Sequence, residues 1–267
     1  MRLFPIPPGR RLRLGGREAR PPVGLPTSLQ EATDAIVEDL TALQEALHAE
    51  GKRALLVVFQ GRDAAGKDGT IRRVCHAFDP QGVIVTSFRV PTTTDAAHDY
   101  LWRVHAAIPP RGMVGVFNRS QYEDVLVPRV HRLVTRGVWT RRYREINDFE
   151  RMLVGNDVTV VKFFLHISRK EQRRRLAERL ADSRKNWKIA QSDLTERAHW
   201  DAYTRAYRDM VAHCSTPWAP WYVVPADGKH ERDYMVADVL RATLRRMAFR
   251  FPRANARLLK EGRKLLR

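Results

Sequence analysis

Apolar positions along the chain alternate between helical and strand-like spacing. After Ser28 they recur at Ile36, Leu40, Leu43 and Leu47, the spacing of one helix face. Ser28 and Glu31 make the S-x-x-E pair of a capping box, so a helix is predicted through about His48. Residues 54–59, "ALLVVF", form a short uninterrupted apolar run, which predicts a strand buried on both faces. The alternation then repeats: a helix over 67–77, a strand at "GVIVTSF", a helix over 95–107, a strand at "MVGVF", a helix opening at "SQYEDVLV" and a longer one over 139–154. "VTVVKFFLHI" predicts a strong strand, Ser168 and Glu171 a second capping box, "WYVVPAD" the last strand and 231–248 the last helix. Strands alternating with helices imply right-handed crossovers and a parallel sheet covered on both faces.

The texture changes over 181–217, where charged and aromatic residues dominate and Trp200, Tyr203 and Tyr207 keep helical spacing with little aliphatic filling. This predicts a mobile cover, or lid, over a charged site. Residues 1–27 are rich in Pro, Gly and Arg and predict an irregular basic arm; 251–267 is a basic tail. Residues 28–250 are expected to form a single domain.

Composition narrows the class. A 267-residue chain that is 43% hydrophobic can bury one large core. It contains no apolar run of about 18 residues, and its amino terminus, "MRLFPIPPGRRLRLGGREARPP", lacks the apolar stretch of a secretory signal, so a cytoplasmic location without membrane contact is expected. Cys75 and Cys214 have no CxxC or histidine pattern beside them and read as packing thiols. The 48 Lys+Arg against 30 Asp+Glu leave a net charge of +18, a field that concentrates polyanions: nucleic acid, nucleotides or inorganic polyphosphate. Arg72, Arg73, Arg119, Arg129, Arg173, Arg174, Arg175, Lys185 and Lys188 follow elements that could share one cleft; a solvated basic surface accounts for most of the others.

The chemistry concentrates in "GRDAAGKDGT". Gly61-Arg62-Asp63-Ala64-Ala65-Gly66-Lys67 fits G-x-x-x-x-G-K between a strand and a helix, the context a phosphate-binding loop requires. Such loops then carry Ser or Thr, whereas here Asp68 and Gly69 follow. Asp68 reads equally as a first-turn acid favoured by the helix dipole. Asp63, inside the loop, would repel phosphate unless a cation intervened, and reads as a metal orienter or a proton acceptor. "FNRSQYED" supplies a second motif: Asn118 at a strand tip, Arg119 with a planar fork for phosphates, then Glu123 and Asp124. Ser120 with Glu123 is either another capping box or a means of holding metal or acceptor.

Taken in order, "GRDAAGKDGTI", "VPTTTDAAHDYLWRVH", "FNRSQYEDVLVPRVH", "KFFLHISRKEQRRRLAERL", "NWKIAQSDL" and "APWYVVPAD" resemble the family-2 polyphosphate kinases over about residues 28–250. The resemblance implies an α/β, three-layer P-loop kinase fold similar to thymidylate kinase, with a parallel central sheet and a helical lid. It implies Mg²⁺ (or Mn²⁺) and phosphoryl transfer from inorganic polyphosphate to adenine, or guanine, nucleotides. It also implies a homo-oligomer, dimer or tetramer, with no specific nucleic acid as partner. The first-motif carboxylate and lysine fall on Asp63 and Lys67 and the second-motif arginine on Arg119; lid and channel cations fall among Arg129, Arg174, Arg175, Arg179, Lys185 and Lys188. Trp187 and Asp193 are the candidates for the base. Many members carry Asp where this chain has Asn118, and "FNRSxYED" is similar to the subgroup associated with both AMP and ADP. An ATP-dependent nucleoside monophosphate kinase and a nucleic-acid-binding P-loop protein are the competing readings; no helix-turn-helix, zinc or RNP signature supports the latter.

Overall fold

The computed structural model describes residues 3–76 and 78–266. Ala77, the expected end of the helix after the loop, and Met1, Arg2 and Arg267 of the terminal segments lie outside the described residues. In chain order the elements are α1 (Leu29–Glu50), β1 (Ala54–Gly61), α2 (Lys67–Cys75), β2 (Val83–Ser87), α3 (Thr93–Ala96), α4 (Trp102–Ala106), β3 (Val114–Asn118), α5 (Glu123–Val130) and α6 (Arg136–Gly155). There follow β4 (Val158–His166), α7 (Arg169–Ala181), α8 (Gln191–Thr195), α9 (Trp200–Cys214), β5 (Trp221–Pro225), α10 (Lys229–Met247) and α11 (Ala256–Leu265).

The five strands form one parallel sheet in the order β2-β3-β1-β4-β5. Central β1 is buried at every position, as its unbroken apolar run requires. Its side chains alternate: Leu55, Val57 and Phe59 enter a core shared with α1, α2 and α10, and Ala54, Leu56 and Val58 enter a second core shared with α5, α6 and α9. The result is a three-layer P-loop kinase fold whose strand ends deliver the loop after β1 and the turn after β3 to the same edge, because Phe59 pairs with Asn118.

Several local expectations change. Ser28 makes no side-chain cap, although α1 forms and ends at Gly51 in the left-handed region (φ 63°). The helix expected over 95–107 splits into α3, opened by a Thr92–Asp95 capping box, and α4. Between them the Asp99 carboxylate accepts the Leu101 N–H, a local turn that competes with helix. Helix α6 starts at Arg136, three residues before the expected 139. Pro128 lies inside α5 and has no N–H for the Asp124 carbonyl; the Arg142 guanidinium donates to that carbonyl instead.

The stretch expected to form a lid divides in two. Helix α9 is a core helix, with Ala206, Tyr207, Met210, Val211 and Cys214 buried; its helical spacing was legible, but its place in the core rather than in a mobile cover was not. Only 182–199 lies outside the core as short turns and α8. The basic arm is irregular but docked: the Ile6 N–H donates to the Trp221 carbonyl, the Asp227 N–H donates to the Ala19 carbonyl, and Leu14 joins the second core. Both cysteines are buried free thiols, and burial pushes each up to about 12, which suits packing. Among the described residues no helix is long and apolar enough to cross a membrane.

Candidate active site

The loop after β1 is shaped by contacts that tolerate little at its glycines. A Cβ on Gly61 would lie 2.8 Å from the Leu165 carbonyl oxygen, and one on Gly66 would lie 2.0 Å from Arg232 Nη1. Ala64 (φ 63°) and Gly66 (φ 104°) are both left-handed. The loop's carbonyls are held from behind: Arg175 Nη1 donates to Ala64 O (3.0 Å) and Ala65 O (3.1 Å), and Arg232 Nη1 to Ala65 O (3.2 Å). With the acceptors drawn outward, the first-turn N–H groups of α2, which have no helical acceptor, remain available to an anion at the helix's positive end.

Beside them lies a cavity of roughly 700 Å³ lined by ten Lys and Arg side chains against four Asp and Glu; that excess suits a polyanion. Lys67 is 8% exposed, and its Nζ donates to Gly61 O at 2.6 Å and Arg62 O at 3.3 Å. Burial pushes its pKa down, with Asp63 pulling it back. Arg119, itself left-handed (φ 64°), donates its backbone N–H to Phe59 O and aims its guanidinium at Asp63, Nη2 to Oδ1 2.9 Å. Burial lowers its pKa, but Glu123 and Asp63 more than offset this, so the net shift is upward. The carboxylate that replaces the usual hydroxyl, Asp68, accepts the Asn118 amide at 2.6 Å. Two strand tips therefore meet over the cavity, and Asp63, Gly66, Lys67, Asp68, Gly69, Asn118 and Arg119 all line it.

Other predicted residues lie elsewhere. Arg62 turns away from the cavity and stacks on Trp200, 3.8 Å from guanidinium carbon to ring centre; burial pushes its pKa down to about 10. Ala64 lines the cavity, whereas Ala65 is fully buried behind it. Glu123 is not in the lining. The Ser120–Glu123 capping box does not form, since α5 begins at Glu123 with Tyr122 before it. Oriented by its hydrogen-bond network, the Gln60 amide donates to Glu123 Oε1 at 2.9 Å and accepts from Ser120. Burial raises the Glu123 pKa, and Arg119 and Lys67 pull it back only in part, so this carboxyl lies beneath the site beside those two cations. Asp124 pairs with Arg103 at 3.3 Å.

Of the lid and channel set, Arg175, Arg179, Lys185 and Lys188 line the cavity, Arg175 through its loop-bracing bonds. Arg174 does not: it is exposed and paired with Glu171 and Glu178. Arg129 is likewise absent from the lining, drawn instead to Asp209 at 2.5 Å and over the Trp139 ring. Asp193 lines the cavity, 3.9 Å from Arg179, and burial together with Asp63 raises its pKa. Trp187, the other candidate for the base, is 77% exposed, hydrogen-bonds to Arg184 O and lies outside the cavity lining. Sequence reasoning missed Ser87, which ends β2, Phe88 and Arg89 after it, and Lys229 and Arg232 in the first turn of α10. Their signal was available in principle, because ligands in parallel sheets bind beyond the carboxyl ends of strands.

Residues 27–252 match the family model Polyphosphate kinase 2 (PPK2). The chain is 50% identical over 222 residues to the AMP/ADP-polyphosphate phosphotransferase of Meiothermus ruber, covering 83% of each chain. It is 41% identical to the ADP-polyphosphate phosphotransferase of Rhodopseudomonas palustris, covering 84% of this chain and 82% of that one. The crystal structure of polyphosphate kinase 2 from Arthrobacter aurescens TC1 superposes with a TM-score of 0.88 at 42% identity, covering 91% of this chain and 88% of the other. With that match spanning loop, sheet and cavity alike, the chain belongs to the polyphosphate kinase 2 family.

Proposed function

We propose that the protein transfers phosphoryl groups from inorganic polyphosphate to AMP and ADP. The observation that carries this reading is the cavity itself: a P-loop opens into a space with ten cations and four anions, more positive charge than a short nucleotide phosphate needs. The first-turn N–H groups of α2 bind the reacting phosphate. Lys67 and Arg119 offset charge that grows on the transferred group and its bridging oxygens, while Arg179, Lys185 and Lys188 hold the donor chain. Asp193 and the Phe88–Arg89 edge are the remaining walls against which an acceptor can be oriented.

A divalent cation, Mg²⁺ or Mn²⁺, fits the donor set. Asp63 and Asp68 present carboxylates to the cavity, and among the described residues no group of three His, Cys, Asp or Glu would enclose an ion unaided. This is the arrangement of a hard cation that completes its shell with water and phosphate oxygens. Asp63 and Asp68 would hold it, and it would neutralise phosphate charge. The open edge of β2, with Ile84 and Val85 exposed, supports contact between copies of the chain.

Incubating the purified protein and Mg²⁺ with AMP or ADP, and either polyphosphate or ATP, tests the reading. Phosphorylation of both acceptors with polyphosphate is expected. Turnover with ATP alone would select the nucleoside monophosphate kinase reading.

A further inference from the structure

The loop and the segment 182–199 are joined by contacts outside the motifs. Helix α7, which leads into the segment, meets the loop's backbone at successive residues: Gln172 Nε2 donates to Asp63 O at 3.0 Å, and one turn later Arg175 donates to Ala64 O and Ala65 O. The chain leaving the segment meets the same place. Arg197 Nη1 donates to Gln172 Oε1 at 2.6 Å, and Arg62 Nη2 donates to Trp200 O at 3.0 Å and Thr204 Oγ1 at 2.5 Å. Gln172 is 4% exposed and uses both ends of its amide: its nitrogen holds the loop and its oxygen holds the segment's return.

We propose that Gln172 is a positioning residue for phosphoryl transfer, one that couples the 182–199 segment to the catalytic loop. Asp63 is the pivot. Its carbonyl is fixed by Gln172 while its carboxylate is fixed by Arg119, so the peptide that sets the Asp63–Arg119 pair is held through Gln172 by Arg197. The same segment carries Lys185, Lys188 and Asp193 to the cavity wall. Its seating and the placement of Asp63 are thus two ends of one hydrogen-bonded chain, and a buried amide satisfied at both ends holds a unique geometry. Among the described residues Gln172 holds the Asp63 carbonyl by a side-chain hydrogen bond, and a shift of the order of 1 Å in a group that positions the reaction is costly to rate.

The inference rests on the proposed reaction, so its test includes a readout that needs no turnover. Gln172→Leu removes both bonds at similar volume, Gln172→Glu keeps an acceptor for Arg197 but cannot donate to Asp63 O, and Arg197→Met removes the outer bond alone. With polyphosphate and ADP, Gln172→Leu and Gln172→Glu are expected to lower kcat roughly tenfold or more with the KM for ADP nearly unchanged. Arg197→Met should give a smaller loss, and adding it to Gln172→Leu should cost nothing further, because the two lie on one path. Independently, trypsin should cut at Arg184, Lys185 and Lys188 faster in Gln172→Leu and Arg197→Met than in the wild type. Wild-type kcat and wild-type cleavage in Arg197→Met and Gln172→Glu would overturn the coupling, as would additive losses in the double variant. If Gln172→Leu does not fold, Arg197→Met and Gln172→Glu decide. A wild type that is inactive with polyphosphate would overturn the proposed reaction, and the cleavage rates would still judge the coupling.

Discussion

Arg119 Nη2 lies 2.9 Å from Asp63 Oδ1, so the residue after β3 and the loop after β1 close on each other across the sheet edge. The pair needs an arginine in the left-handed region (φ 64°), a conformation that costs free energy in a non-glycine residue and clusters at functional sites. Only Nη2 makes that contact, and Arg119 lines the cavity with Lys67, so in the proposed reaction the rest of the guanidinium would meet phosphate beside Lys67.

If those two cations offset charge in the transition state, Lys67→Ala and Arg119→Ala should each lower kcat by ~10²-fold or more. Steady-state kinetics with intact circular dichroism spectra checks this. Rates within a few-fold of wild type would remove them from the chemistry.

Asp63→Asn keeps the shape of the Arg119 contact but removes the charge. It should leave the fold intact and abolish activity, and EDTA should stop the wild-type enzyme until Mg²⁺ or Mn²⁺ is restored. Titrating the metal against initial rate measures both effects; activity that survives chelation would remove the cation from the account.

A long anionic donor displaces several counterions at once, so its KM should rise steeply with salt while that of the nucleotide rises less. Lys185 and Lys188 line the cavity, and Lys185→Gln with Lys188→Gln should flatten the polyphosphate slope and spare the nucleotide. A KCl titration of both KM values decides, and equal slopes would return the +18 charge to the surface at large.

Much of this was legible in the chain. The unbroken run in β1, the G-x-x-x-x-G-K spacing and Asn118-Arg119 each encode their own placement, because period-2 burial and strand-to-helix glycine geometry are local. What the sequence hid was long-range. Arg232 reaches Gly66 from α10 and Arg175 reaches the loop from α7, and nothing in their neighbours tells a bracing arginine from a substrate-facing one. The helical spacing of α9 was visible but its place in the core, through Ala206, Tyr207 and Met210, was not; Arg129 is drawn from the cavity by the sequence-distant Asp209, whereas the Arg174–Glu171 pair is local to α7.

One bracing network carries a pH signature. Glu171 bonds Arg174 and Arg175, the first largest, which brings its pKa from 4.5 to about 2. A carboxylate depressed on folding stabilises fully above pH 4.5, and that contribution is lost as pH falls toward 2. Glu171→Gln should therefore lower stability by about 1–2 kcal/mol at neutral pH, screened from the full shift, with the difference from wild type vanishing near pH 2. Urea unfolding at stepped pH measures it; a difference that persists unchanged at pH 2 would contradict the assignment.

The most direct measurement of the central claim follows the phosphorus itself. Under ³¹P NMR, the protein with ADP, Mg²⁺ and polyphosphate should build the γ-phosphate resonance of ATP as polyphosphate is consumed in step, and Lys67→Ala should leave the spectrum nearly static. Polyphosphate that stays intact while nucleotide is phosphorylated only when ATP is supplied would contradict the account.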